Sequence, residues 1–266
     1  MNRSQRNFIV IADDYGLGPK HNSVMRDLLK MGALDGVSVL VSDEIKGRES
    51  KKLLSLTART GQQIGLHLNL THPMPGLSFV EPLGKLLIGS ITGHLDVAAV
   101  RQSIDRQLDI FEAAFGQLPD FVDGHQHCHC FPAVSDVVLS AAKERMSARP
   151  FWIRSPCPST MRGVFAAIRL GGMKSLIIMA LGTRIRHRLK GAGIQTNDDF
   201  AGIMRLDTEE GIEERLRYIL DAAGAGCVVM THPGDRGDPR QVPDHEPRSR
   251  TREARLLLTL LGDKAY

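Results

Sequence analysis

The chain has 266 residues, of which 42% are hydrophobic and 24% charged, a composition typical of a folded globular protein and not of a disordered one. The length suits a single α/β domain with a full-sized core. The net charge of +4 is small and aromatic residues make up only 5% of the chain, which argues against a nucleic-acid-binding protein.

Short apolar runs typical of buried strands alternate with amphipathic stretches typical of helices. We predict strands at residues 8–12, 37–41, 64–70, 121–122, 151–153 and 227–230. We predict helices at residues 22–31, 48–59, 97–115, 133–144, 208–223 and 249–261. This alternation predicts parallel strands joined by helical crossovers, and therefore an α/β fold with residues 1–266 in one domain.

Two stretches interrupt the alternation. Residues 71–91 contain three prolines and several glycines, so we predict a long loop after the third strand. Residues 161–193 interleave arginine and lysine with large apolar residues, so we predict a basic amphipathic helical insertion. Such an insertion could lie on a membrane or bind an anionic or lipidic substrate. Two ordinary surface helices with solvated basic side chains would give the same pattern.

Four short polar clusters lie within or directly after predicted strands. The first is Asp13-Asp14, and adjacent carboxylates at such a position can bind a cation and face a water molecule. They could equally cap the next helix. The second cluster is His67 with Asn69, which strand alternation places on one face. A single histidine at such a position is more often a core residue than a ligand.

The third cluster, at residues 123–129, gives the strongest signal because His125, His127 and His129 occupy alternate positions. If the strand continues through them, three imidazoles lie on one face, and imidazole is a common ligand of catalytic zinc. A histidine cluster without a metal is the alternative. The fourth cluster places His232 where a strand ends, a position suited to a general acid or to a plain turn.

The carboxyl ends of parallel strands meet at one end of a barrel, where active sites of this architecture lie. We therefore expect the four clusters to converge. Asp14, His67 and His125 would then form a triad of one carboxylate and two histidines, with open positions for water and substrate. The sequence thus predicts a hydrolytic metal site.

These clusters resemble the motifs of the YdjC/ChbG-like carbohydrate deacetylases, over nearly the whole chain. The matching segments are Ile11-Ala12-Asp13-Asp14-Tyr15-Gly16, Gly65-Leu66-His67-Leu68-Asn69-Leu70-Thr71, Asp123-Gly124-His125-Gln126-His127-Cys128-His129 and Thr231-His232-Pro233-Gly234. The resemblance implies a TIM-barrel-like (β/α) barrel, incomplete or distorted because no strand pattern follows the last predicted helix. It also implies removal of the acetyl group from an N-acetylated amino sugar, with one divalent ion, Mg²⁺ or Zn²⁺, on Asp14, His67 and His125.

The resemblance further makes Asp13 the catalytic base and His232 the acid that protonates the departing amine. We place His127 and Asn69 near the substrate or the metal ligands. Arg154 could fix a substrate hydroxyl, orient Asp13 or form a surface ion pair.

Residues 193–203 resemble the HpnK-type branch of the family, which is linked to hopanoid biosynthesis and whose members are thought to act on a lipid-attached sugar. The motif at residues 123–127 differs from the Asn-Ala-His-Lys-His pattern of that branch. An oligosaccharide and a lipid-linked glycoside therefore both stay open as substrates.

A metal-dependent phosphoesterase is the alternative enzyme, since paired aspartates and histidines also suit two-metal sites. A non-catalytic carbohydrate-binding protein is the third hypothesis. We expect the four cysteines to be free thiols of a cytoplasmic protein without a signal peptide. A homodimer and a peripheral membrane contact through residues 161–193 stay open.

Overall fold

The computed structural model describes Arg3 and residues 6–263. Its centre is a sheet of parallel strands, which are β1 (Ile9–Tyr15), β2 (Gly36–Val39), β3 (Gln63–Leu68), β4 (Phe121–Gly124), β5 (Trp152–Ile153), β6 (Asp199–Ala201) and β7 (Cys227–Thr231). Their order across the sheet is β5-β4-β3-β2-β1-β7-β6. The all-parallel arrangement predicted from the alternation of strands and helices is confirmed, and it requires a crossover connection between neighbouring strands.

Helices supply those connections and cover the outside of the sheet. They are α1 (Pro19–Lys30), α2 (Arg48–Thr60), α3 (Leu83–Thr92), α4 (Val97–Phe115), α5 (Pro132–Arg145), α6 (Met161–Gly171), α7 (Met173–Gly191), α8 (Ile212–Ala222) and α9 (Pro247–Leu261). Local sequence sets their ends. In α4, for example, the Asp96 carboxylate accepts the Ala99 N–H at the start, and Gly116 ends the helix in the left-handed conformation.

The sheet curls until its two edges approach each other. Gln195, shortly before β6, forms a parallel bridge with Trp152 of β5, and its carbonyl accepts the Ile153 N–H at 3.0 Å. The strand β6 itself pairs with β7. One segment therefore contacts both edges, and the fold is a single-domain, TIM-barrel-like α/β fold with a distorted closure, as the sequence implied.

Alternation along the strands separates two apolar clusters. Val10 and Ala12 of β1 belong to the large core between sheet and helices. Ile11 belongs to a second cluster, together with Phe121 of β4 and Phe200 of β6. Residues two positions farther along β1 and β4 are Asp13 and Asp123, so an apolar floor lies inside the barrel beneath its polar end.

One secondary-structure prediction is wrong, and one strand was not predicted. The predicted loop at residues 71–91 contains the helix α3, which begins directly after Pro82, a residue that cannot continue a preceding helix but is tolerated where one starts. The strand β6 was not predicted because it has only three residues and begins with Asp199, a residue type that is uncommon in strands.

Residues 161–193 fold as the two helices α6 and α7. Among the described helices, none combines the length and the apolar composition that a membrane crossing needs.

Candidate active site

The polar clusters that follow the strands meet at the carboxyl end of the sheet. Asp14, His67 and His125 come together there, each buried. His67 Nε2 lies 3.4 Å and His125 Nδ1 lies 3.1 Å from Asp14 Oδ1. These three side chains come from β1, from β3 and from the turn after β4, so the parallel sheet is what assembles them.

An irregularity at the end of β1 brings both aspartates into the site. The pairing of β1 with β2 slips between Ala12 and Tyr15, and Asp14 has a φ of 68°. The chain then turns at Gly16, where a Cβ would lie 2.3 Å from the carbonyl oxygen of Leu40 and only glycine fits. Asp13 and Asp14 are therefore both buried at this end of the barrel while pairing with different partners.

The strand β4 does not continue through the histidine cluster, the condition under which three imidazoles would lie on one strand face. It ends at Gly124, and residues His125–Cys130 form a tight turn of 3₁₀ type in which Gln126 and His127 have positive φ. The expected alignment of three imidazoles on one strand face is therefore wrong. Asp14, Gln126 and His127 are the non-glycine residues with positive φ in the described part of the chain, and such strain concentrates at functional sites.

A buried charge network links Asp13 to His67. Arg154, after β5, donates to both oxygens of Asp13 at 2.6 and 2.9 Å and lies 2.7 Å from Asp123 Oδ2. His67 lies beside Asp123 in the β3–β4 register, and its Nδ1–H donates to Asp123 Oδ1 at 2.6 Å. Ser38 donates to the same oxygen. The Arg154 side chain is only 1% exposed, so the proposed surface ion pair is wrong and the orientation of Asp13 is what the geometry supports.

These contacts set the protonation of the network. Burial raises the pKa of Asp13, against the lowering effect of Arg154, and Asp123 raises it further. Burial would also raise the pKa of Asp123, but Arg154 and His67 hold it below its usual range. Burial alone would lower the pKa of His67, yet the carboxylates of Asp123 and Asp13 raise it to about 10. A positive charge at His67 is thus favoured.

Arg250 and His245 are site residues that the sequence analysis missed. Arg250, on the buried face of α9, lies 2.6 Å from Asp14 Oδ2 and donates to His245 Nδ1 at 2.5 Å. Burial would raise the pKa of Asp14, but Arg250 and His125 hold it well below its usual range. The available signal was the apolar face of the predicted last helix, where Arg250 and Glu253 replace aliphatic residues.

His232 lies at the end of β7, where the sequence placed it, and is buried. Its ring packs edge-on against His245, with 4.7 Å between ring centroids. Burial lowers the pKa of His232 to about 3, and the nearby Arg250 lowers it as well, although Asp14 opposes them. In the metal-free protein His232 is therefore a neutral imidazole at pH 7.

The remaining predicted residues lie around this centre. The Asn69 side chain is used by its own turn, since Oδ1 accepts the N–H groups of Thr71 and His72. That turn holds the His72 ring 5.9 Å from the His125 ring. His127 is half-buried beside Phe200 at the site end of β6. Asn69 thus shapes the rim, whereas His127 borders the space near β6.

The donor atoms fit a single divalent ion. Nitrogen or oxygen ligands about 2.1 Å from a tetrahedral ion lie about 3.4 Å apart, close to the 3.1 and 3.4 Å separations found around Asp14 Oδ1. The His67 Nδ1–H bond to Asp123 leaves Nε2 for the ion, the arrangement usual for metal-binding histidines. Two guanidinium groups and the His67 imidazolium face three buried carboxylates, so a divalent ion that displaced the His67 proton would take over the balancing positive charge.

A second group of potential ligands, Asp13, His67 and Asp123, is a poorer candidate. It shares His67 with the first group, and both of its carboxylates already pair with Arg154.

Burial raises the pKa of the Cys128 thiol to about 12 and that of Cys130 well above its usual value, so neither offers a thiolate at neutral pH.

Sequence comparison identifies related proteins over most of the chain. A protein of Homo sapiens named carbohydrate deacetylase is 27% identical and aligns with 88% of this chain and 76% of its own length. A Mus musculus protein of the same name is 32% identical over 85% of this chain and 77% of its own length. A chitooligosaccharide deacetylase of Enterobacter sp. (strain 638) is 29% identical over 52% of this chain and 56% of its own length.

A solved structure shares the fold. A protein of Enterococcus faecalis V583, described as a candidate cellobiose-phosphate cleavage protein, superposes with a TM-score of 0.60 over 94% of this chain and 89% of its own, at 16% identity. The sequence profile described as YdjC-like protein matches residues 7–260. The chain therefore belongs to the YdjC-like protein family.

Proposed function

We propose that this protein is a metal-dependent carbohydrate deacetylase that hydrolyses the acetamide of an N-acetylated amino sugar, releasing acetate and the free amine. The observation that carries the proposal is the buried set Asp14, His67 and His125 beside the Arg154-held carboxylate of Asp13. The relatives named carbohydrate deacetylase and chitooligosaccharide deacetylase supply the reaction class.

Asp14, His67 and His125 would hold one divalent ion, Zn²⁺ or Mg²⁺, which when bound supplies Lewis-acid polarisation of a water molecule and of the acetamide carbonyl. Asp13 is the general base that takes the proton of the attacking water. The two hydrogen bonds from Arg154 fix its carboxylate, and its raised pKa brings its proton affinity closer to that of a working base at neutral pH.

His232 is the general acid that protonates the departing amine. Because it is neutral before substrate binds, it must take up a proton from solvent as negative charge develops on the substrate and raises its pKa, while Asp13 holds the proton of the attacking water. His245, packed against the His232 ring and bonded to Arg250, restricts the orientation of that ring.

The phosphoesterase alternative fits the geometry less well. Two-metal phosphoesterases need a second metal position about 3.5–4 Å from the first. Among the described residues, the second ligand group has its carboxylates paired with Arg154.

The proposal is tested by measuring acetate release from chitobiose-type oligosaccharides and from N-acetylglucosamine carried on a lipid. Metal-depleted protein is reloaded with Zn²⁺ or Mg²⁺, and wild type is compared with His125→Ala and with His94→Ala, an exposed histidine outside the site. We expect acetate from wild type and His94→Ala and its loss in His125→Ala. Absence of acetate from every substrate with metal bound, together with phosphate release from model esters, would favour the phosphoesterase.

A further inference from the structure

The helices α6 and α7 carry a concentrated group of exposed apolar side chains. Six large apolar residues there are between 41% and 79% exposed, and we call them the hairpin patch: Met161, Phe165, Ile168, Met173, Leu176 and Ile177. Spacings of three and four residues place those of each helix on one side of it. Scattered exposed apolar residues are ordinary, but six on two consecutive helices that pack against each other indicate an interaction surface.

The two helices form an antiparallel hairpin that is anchored at its base. The backbone carbonyl of Gly182 accepts the Ser155 hydroxyl at 2.9 Å, and a Cβ on Gly182 would lie 2.8 Å from the backbone of Pro156. Arg186 donates to the Cys157 carbonyl. The middle of α7 therefore lies beside the segment that precedes α6, and the tip at Gly172 points away from it.

The tip of the hairpin lies beyond the carboxyl end of β6, the end of the sheet that carries the candidate active site. The hairpin starts after the carboxyl end of β5, and its tip contacts the segment after β6, where Arg205 N–H donates to the Leu170 carbonyl at 2.9 Å. Met173, the most exposed residue of the hairpin patch, follows this tip directly.

The charge of the hairpin is of one sign. Residues 161–193 contain seven arginines and lysines and neither aspartate nor glutamate. Arg188 pairs with Asp136 of α5. Arg162, Lys174 and Lys190 are exposed and form no ion pair within 4.0 Å among the described residues, although Lys174 is near enough to Asp207 to lower the pKa of that carboxyl.

We propose that the hairpin patch docks this protein on the surface of an anionic lipid bilayer. Apolar side chains flanked by basic residues without acids suit such a surface, since the apolar groups enter the interface while the cations meet the lipid headgroups. A second copy of the chain fits this patch poorly, because a symmetric contact would bring two positive hairpins together. The proposal does not depend on the deacetylase activity.

The test is co-sedimentation of the full-length protein with phosphatidylcholine vesicles and with vesicles that also contain phosphatidylserine. We expect wild type to bind only the anionic vesicles, and less at high salt. R162Q/K174Q and M173Q/I177Q should each weaken partitioning about tenfold or more. R48Q/K51Q, which removes two exposed charges from α2, and L258Q on α9 should bind like wild type.

Equal melting temperatures of the variants would show that they fold, as expected for exposed positions. The proposal is overturned if wild type ignores anionic vesicles, if the hairpin variants bind as well as wild type, or if binding is the same with and without phosphatidylserine. A concentration-dependent dimer that M173Q/I177Q abolishes, in a protein that does not bind vesicles, would assign the hairpin patch to a second copy and also overturn it.

Discussion

Arg250 and Asp14 form an ion pair on the far side of the carboxylate from the two candidate ligand histidines. Arg250 Nη2 lies 2.6 Å from Oδ2, whereas His125 Nδ1 lies 3.1 Å from Oδ1. Asp14 is fully buried, and the guanidinium is its permanent counter-charge. A bound divalent ion would be a second counter-charge, at Oδ1. The guanidinium of Arg250 and the divalent ion would then both stabilise the buried carboxylate of Asp14.

Replacing Arg250 with methionine should therefore destabilise the metal-free protein far more than the metal-loaded one. Without either cation Asp14 keeps only the His67 imidazolium, 3.4 Å from Oδ1, as a counter-charge, and removal of its guanidinium partner costs about 3–5 kcal/mol in the free energy of unfolding. Urea unfolding with chelator and with saturating Zn²⁺ measures both values. Arg252→Met is the control: Arg252 forms a half-exposed pair with Glu213, and its loss should cost about 1 kcal/mol at most. Equal destabilisation by R250M with and without metal would place the ion elsewhere.

The stability of the metal-free protein should fall as the pH rises above neutral. The pKa of His67 is raised from 6.5 to about 10 in the folded protein, so the stabilising charge is fully present below pH 6.5 and is lost as the pH approaches 10. Asp123→Asn removes the main charge that raises this pKa and should flatten the dependence. Unfolding free energies in chelator across pH 6.5–10 measure the slope. An equally steep slope in D123N would show that another group causes it.

Asp13→Asn should lower turnover by about 10²–10⁴-fold while leaving Zn²⁺ affinity nearly unchanged, because the amide cannot take a proton from water and Asp13 is outside the proposed ligand triad. Isothermal titration with Zn²⁺ and acetate release measure the two properties. Asp27→Asn, at an exposed position on α1, is the matched control. The wild-type rate should also fall as the pH decreases, because Asp13 becomes protonated. Since the pKa of Asp13 is raised, this fall should begin at a higher pH than protonation of an ordinary aspartate would cause. Full activity in D13N would exclude it as the base.

His232→Ala should affect substrates according to their leaving groups. An amine must be protonated as it departs, whereas nitrophenolate leaves without a proton. We therefore expect H232A to lose about 10²–10⁴-fold of its activity on N-acetylated sugars and much less on 4-nitrophenyl acetate. D13N should lose both activities. If H232A lost both activities to the same extent, His232 would act in binding or positioning and not as the acid.

Several site residues were recognisable because each follows an apolar run that could be identified locally. Asp13, His67 and His232 stand at or near the ends of predicted strands, and parallel strands end on one side. The network partners were not recognisable in this way. Arg250 reaches Asp14 across 236 positions of sequence, and Asp123 meets His67 only through the β3–β4 register.

Backbone conformation explains the wrong prediction at residues 125–129. Alternating histidines fit an extended strand, but the positive φ of Gln126 and His127 turns the chain after Gly124. No residue type in this segment requires that turn, since neither residue is glycine. The turn depends on the surrounding fold, including the close approach of His129 to Gly124, where a Cβ would lie 2.8 Å from the imidazole.

The sequence by itself determined the α/β class, the alternation of helices with parallel strands, and the residue types at the carboxyl end of the barrel. These follow from hydrophobic periodicity over a few residues. Only the tertiary structure decided that Arg154 pairs with Asp13 and Arg250 with the adjacent Asp14. It also decided that Asp123 accepts a hydrogen bond from His67 and which donor atoms face one another. Those relations depend on contacts between segments far apart in the chain, and on backbone angles that the packed barrel imposes, which no local pattern encodes.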